Sequence, residues 1–357
     1  MKNKLVLLAI ICAALLSCDT DYDNDPNTIC NAKFYSFQTQ NEATAVGDIF
    51  NVGYLSKFNA ATPSVFSNSI PNNSFTDVGT LFYPSSSLKF DNSELVCLAN
   101  KTGGKRLFKA DLISNTLIQN NAISSSLSAP VFVFNNLRFL KITNKVTQTS
   151  APYNDVISFD AELVDESETS VSGAPQNIIL PSAVENGFRD ANIEGVFLNN
   201  KVYFLANCQI LVYDIITNLF SVHTISTYNQ ANDRKFMQGM EISNTNTLVM
   251  LQQTVSPNYK IEIIELPSVA TSVFTPIVKY NLLQADFPAN APQLASIINT
   301  MDRRSTTYDK CDNKYYLTYM SNYNPYNTEV YEIDLNAYSI ASYPFNNNFL
   351  FGLEVQK

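Results

Sequence analysis

A unit that recurs at intervals of roughly 40–50 residues, or longer where polar insertions intervene, limits what this chain can fold into more than any other feature. An Asn-led turn opens an apolar strand, a second strand ends on or near an acid, and a third follows after a turn. The clearest copy is Asn200-Lys201-Val202-Tyr203-Phe204-Leu205, then Ile210-Leu211-Val212-Tyr213-Asp214, then Asn218-Leu219-Phe220-Ser221-Val222. The pattern returns as Asn313-Lys314-Tyr315-Tyr316-Leu317, Glu329-Val330-Tyr331-Glu332-Ile333-Asp334 and Tyr338-Ser339-Ile340-Ala341. Weaker copies start at Asn92 with Asp111 as the acid, at Asn136 with Asp160, and at Asn246 with Glu265. The leading asparagines stand 44, 64, 46 and 67 residues apart, the longer gaps holding polar insertions such as Asp165-Glu166-Ser167-Glu168-Thr169-Ser170.

Short alternating apolar runs broken by Asn and Ser clusters predict an all-β body, with 291–299 as the best short helix. A unit of three or four short strands cannot bury both faces alone but is stable when packed radially, which is the logic of a β-propeller. Five units are visible and residues 31–78 could supply a sixth, so six blades are expected, with seven as the second choice and tandem β-sandwiches as the alternative fold. Phe349–Val355 is then a final strand that completes the first blade and removes an open edge. Only ten glycines serve so many turns. Asparagine tolerates left-handed backbone and is expected to carry many of them. Tyr213-Asp214-Ile215-Ile216-Thr217-Asn218 resembles the bacterial propellers of the Tyr-Asp-x-x-Thr-Asn type, a likeness confined to that unit. The chain has no Trp for a Trp-Asp repeat, and its single Gly-Gly, Gly103-Gly104, argues against kelch repeats.

Two lysines precede an unbroken apolar run from Leu5 to Leu16, which reads as a signal peptide and is too short to span a bilayer. Leu15-Leu16-Ser17-Cys18 resembles the bacterial lipobox, which implies cleavage before Cys18 and acyl chains, palmitate among them, on that cysteine. Several chains on one cysteine give stable anchoring, since each buried CH2 contributes roughly 0.8 kcal/mol. The acidic stretch Asp19–Asn27 resembles the export signal of Bacteroidota surface lipoproteins, which implies an outer-membrane lipoprotein exposed at the cell surface. An EF-hand-like calcium loop there fails, because its sixth and twelfth positions would be Asn24 and Cys30 instead of Gly and Glu. The expected organisation is a signal over 1–17, an acidic flexible tether over 18–30 and one propeller domain over 31–357.

Loss of Lys2 and Lys4 with the signal takes the formal charge from −9 to −11. Nucleic acid is therefore not expected as a partner, because phosphate binding needs a basic footprint. Cys97 and Cys208 lie in apolar strands and read as buried hydrophobes, whereas Cys30 and Cys311 flank the folded region and could close a disulfide. His223 is the single histidine, so a multi-histidine metal site is excluded; no metal site, cofactor or phosphate loop is expected.

One constellation stands out. Arg189-Asp190, Asp233-Arg234 and Asp302-Arg303 precede three consecutive units and are followed by Glu194, Glu241 and Asp309. In a propeller, Arg189, Arg234, Arg303, Glu194 and Glu241 would converge at the channel mouth, able to bind a carboxylate or phosphate, or to tie neighbouring blades together. The function expected is a non-catalytic binding or scaffold module, an accessory to an envelope uptake or secretion complex or a receptor for extracellular glycan or peptide. The alternative is a polysaccharide hydrolase or lyase using two carboxylates drawn from Glu194, Glu241 and Asp302.

Overall fold

Each apolar run picked out between the turns is a strand. The computed structural model describes residues 33–39, 51–55, 67–70, 83–84, 89–91, 94–101, 104–111, 113–114, 116–123, 127–133, 136–148, 156–180, 188, 193–206, 209–226, 235–254, 259–267, 273–323, 326–345 and 349–356. All belong to one compact unit, Ala32–Lys357. Among these residues the strands form six sheets. The first holds β1 (Lys33–Thr39), β2 (Asn51–Leu55) and β3 (Ser67–Ile70), joined by β26 (Phe349–Gln356) from the other end of the chain. In the second, β4 (Tyr83–Pro84) and β5 (Lys89–Asp91) both pair with β6 (Glu94–Lys101), followed by β7 (Gly104–Asp111) and β8 (Thr116–Ile123). The third holds β9 (Leu127–Val133), β10 (Asn136–Thr147), β11 (Val156–Val164) and β12 (Gln176–Ile179).

The fourth sheet holds β13 (Glu194–Leu198), β14 (Lys201–Ala206), β15 (Gln209–Asp214) and β16 (Leu219–Ile225). The fifth holds β17 (Lys235–Ile242), β18 (Leu248–Thr254), β19 (Lys260–Leu266) and β21 (Ile277–Leu282); between its last two strands the chain adds β20 (Val273–Phe274) in parallel to the outer edge of the fourth. The sixth holds β22 (Met301–Asp309), β23 (Lys314–Tyr323), β24 (Tyr326–Asp334) and β25 (Ser339–Phe345). A helix, α1 (Leu294–Thr300), falls where 291–299 predicts one. No sheet closes into a barrel.

The period-two alternation of the strands explains how these sheets are held together. On β14, Val202 and Phe204 pack with Leu140, Phe159 and Leu163 of the third sheet, while Tyr203 and Leu205 pack with Met237, Met240 and Met250 of the fifth. Successive side chains point to opposite faces, so one strand feeds two seams. The next seam sets Val249, Leu251 and Ile263 against Tyr308, Tyr315 and Leu317, and the next sets Tyr316, Val330 and Phe345 against Phe34, Leu353 and Val355. Covered on both faces, these inner strands are buried along their length, as in β18, where every residue from Leu248 to Thr254 is buried. The fourth strands β16 and β21 expose Leu219, Ile277 and Val278.

Inner strands lie side by side in the order β9, β13, β17, β22, β26. Both β26 and β9 meet β5, so the succession returns on itself. Phe349–Val355 does complete the first sheet, and it does so as the innermost strand beside β1.

Turn chemistry repeats with the sheets. The leading asparagines Asn200, Asn246 and Asn313 all have left-handed backbone (φ 59, 56 and 54), as does Asn218 (φ 56). These are the positions where a missing glycine was expected to be replaced by asparagine. Between third and fourth strands an aspartate accepts backbone N–H groups. Asp214 Oδ1 takes those of Ile216 and Thr217 at 2.9 and 3.0 Å, and Asp334 Oδ1 those of Asn336 and Ala337, both at 2.8 Å. Asp111 takes those of Ile113 and Ser114 at 2.8 and 3.3 Å, and Asp165 those of Ser167 and Thr169, both at 2.9 Å. In the third sheet the strand-ending acid is therefore Asp165. Asp160, expected in that role, lies inside β11, where Asn144 and Asn177 donate to its carboxylate.

Candidate functional site

Polar side chains concentrate where the innermost strands meet. Glu241, Thr307, Asp309 and Glu354 are buried there, on β17, β22 and β26. Burying a carboxylate is costly unless hydrogen bonds satisfy it, so their partners matter. The amide of Met240 on β17 donates to Glu194 Oε2 on β13 at 2.9 Å. In the following seam, the Tyr315 hydroxyl on β23 donates to the Gly239 carbonyl at 2.7 Å. Beyond it, Thr307 Oγ1 donates to Glu354 Oε2 at 3.3 Å and accepts from the Val355 amide at 3.3 Å. Three consecutive seams are thus bridged at their inner edge.

Gly239 makes the middle bridge geometrically feasible. It has φ +66 in a break of the β17–β18 register, between Gln238 and Glu241. A Cβ at this position would stand 2.0 Å from the Tyr315 hydroxyl. Burial, together with the negative charges of Glu194 and Glu241, pushes the Tyr315 phenol well above its ordinary range, so it remains a neutral donor. Gln238 is opposite Leu251 and so faces the same seam; both atoms of its buried amide lack a partner.

Of the three Arg–Asp pairs, only Asp302-Arg303 falls within the described backbone. Residues 189 and 190 lie outside the described residues, as do 233 and 234, which immediately precede β17. Asp302 and Arg303 are the second and third residues of β22, and their side chains lie outside the description too. Glu241 comes near the end of β17, and Asp309 ends β22 six positions after Arg303. Glu194 opens the short β13 and reaches Met240 on β17.

Elsewhere, His223 sits on β16, its Nε2 3.0 Å from Ser221 Oγ and its ring against Phe274 of the flanking β20. Cys311, in the β22–β23 turn, is disulfide-bonded; Cys18 and Cys30 lie outside the described residues. Among the described residues there is no group of three or more His, Cys, Asp or Glu able to hold a metal, and no helix long and apolar enough to cross a membrane. The sequence pattern pointed to Glu194 and Glu241 but not to Gly239, Tyr315, Thr307 or Glu354. An alternating strand pattern hides which of its residues will meet a neighbouring sheet.

No family model matches this sequence, and no curated protein matches it. Its fold is similar to that of TolB from Acinetobacter baumannii, with a TM-score of 0.52 and 12% identity over 91% of this chain and 66% of that one. The body is β-propeller-like. At that identity the likeness shows the fold alone, and the chain spans just under two thirds of the TolB length. A DUF4784 family protein from Bacteroides caccae (12% identity, 92% and 75% coverage, TM-score 0.43) and an oligogalacturonate lyase from Vibrio parahaemolyticus (8%, 86% and 84%, 0.39) also match, too distantly to carry an argument.

Proposed function

We propose that this protein is a surface lipoprotein of the outer membrane, anchored through Cys18, whose six-bladed propeller acts as a non-catalytic binding or scaffold module. The anchor rests on the charged start, the short apolar core and the lipobox. The observation that carries the non-catalytic half is the engagement of the inner carboxylates. Glu194 holds the Met240 amide and Glu354 holds Thr307, so both work as joints between sheets. A carboxylate fixed by a backbone N–H is stabilised in its charged form and is poorly suited to donate a proton. The partners this reading favours are an envelope protein complex or an extracellular glycan or peptide, gripped by the loops that connect one sheet to the next.

Two measurements test it. Cys18→Ser should move the chain from the detergent phase to the aqueous phase; unchanged partitioning removes the anchor. Lipidated protein used as bait on solubilised envelope should retain a defined partner, and Glu194→Gln should weaken folding without changing which partner is retained. The alternative, a carboxylate-dependent polysaccharide hydrolase or lyase, draws on the charges of Glu194 and Glu241 both acting on Tyr315. Reducing-end release from a glycan panel, abolished by Glu241→Gln in a folded variant, would favour it instead.

A further inference from the structure

The two ends of the sheets differ in what they present. In the second, fourth and sixth sheets the turn after the first strand and the turn after the third stand at the same end, since Glu94 pairs with Asp111, Lys201 with Asp214 and Lys314 with Asp334. Neighbouring sheets share this polarity. Asn244, just past β17, meets Tyr308 near the end of β22, and Thr307 meets Val355 near the end of β26. Farther from the axis the turns are linked as well. Lys109 pairs with Glu166, Gln176 bonds the backbone of Asn218 and Phe220, and the Tyr280 hydroxyl donates to the Tyr338 carbonyl. These turns form one face.

That face carries exposed apolar side chains on five consecutive sheets: Ile113 (80% exposed), Val171 (43%), Ile216 (75%) with Leu219 (60%), Ile277 (52%) and Tyr338 (61%). Among the described residues exposed apolar side chains also stand toward the other end, at Val146, Ile179, Tyr259, Val273 and Leu283, but there they reach three sheets and not five. The chain also joins the body here. Lys33, the first residue of β1, pairs with Gln356, the last of β26, so β1 begins at this end of the first sheet.

We propose that the turn face rests on the lipid bilayer, with Ile113, Val171, Ile216, Leu219, Ile277 and Tyr338 entering the headgroup region; this rests on the reading of Cys18 as the lipid anchor. Asn31 stands thirteen positions after Cys18, a span of at most roughly 45 Å when extended, which keeps the face within reach of the surface. Apolar and tyrosine side chains at the lipid interface bury area without inserting backbone. Asp111, Asp165, Asp214 and Asp334 lie just behind the tips, so a zwitterionic lipid surface suits this face better than an anionic one. The opposite end of the sheets is left to face outward.

The chain contains no tryptophan, which makes a single introduced one a clean reporter. Ile216→Trp, Tyr338→Trp and, at the opposite end, Leu283→Trp (a site 54% exposed) should each keep the parent melting temperature. The full lipidated protein is placed in phosphatidylcholine vesicles with brominated acyl chains. Emission at positions 216 and 338 should fall about twofold and shift to shorter wavelength, with position 283 unchanged. Quenching at 283 instead, or at none of the three while the protein floats with the vesicles, overturns the proposed face and leaves the anchor standing. A Cys18→Ser chain that still floats with vesicles overturns the anchor itself.

Discussion

Gly239 sits where the backbone is left-handed and the Tyr315 hydroxyl fills the place of a side chain. Gly239→Ala should destabilise the protein by about 2–4 kcal/mol, read from the urea midpoint, because strain and a buried clash coincide. Glu265 sets a different test. Burial alone would raise its pKa, but Thr245, Thr247 and Lys279 outweigh burial and hold it at about 2, against an ordinary 4.5. Its contribution to stability is complete above the ordinary value and is lost as pH falls toward about 2. Glu265→Gln should therefore flatten the acid limb of the stability profile below pH 4.5, measured by denaturant melts at stepped pH. At this scale asparagines were legible, since left-handed turns want Asn or Gly and glycine is scarce. Gly239 was not, because its reason is Tyr315, 76 residues later in the chain.

At the scale of the element, the aspartate-capped turn is the repeating device. Asp214→Ala and Asp334→Ala should each lower the melting temperature, and the double variant should show the sum, since the turns belong to sheets that are not neighbours. Hydrogen bonds hold the Asp214 carboxyl below its ordinary pKa, those from Thr217 most of all, so its cap weakens only under strong acid. Much of this could be read from the chain, because an acid two or three residues before a turn Asn or Ser is a local signal. A second Tyr-Asp unit escaped notice. Tyr308 donates to Asn313 Oδ1 at 2.7 Å as Tyr213 does to Asn218 at 2.8 Å, but it joins the first pair of strands in its sheet while the other joins the last pair. Matching residues by their order within a unit could not align the two. The third sheet was misread for a related reason: Asn144 and Asn177, both distant in sequence from β11, commit Asp160 to the middle of that strand.

For the whole molecule, the recurring units foretold small sheets and a last strand that returns to the first. The seams stayed hidden because they join residues of different units. Glu354, for example, is bonded to Thr307 across 47 positions. Removing 349–357 should abolish the cooperative melt and open β1 and β22 to limited proteolysis, since β26 covers both. The pairing of Lys33 with Gln356 carries one more consequence. The earliest strand to leave the ribosome must wait for almost the last, so this body cannot finish folding while its tail is still being made. On the proposed export route such a delay would keep the polypeptide unfolded for a translocation pore, and the ring would first shut on the far side.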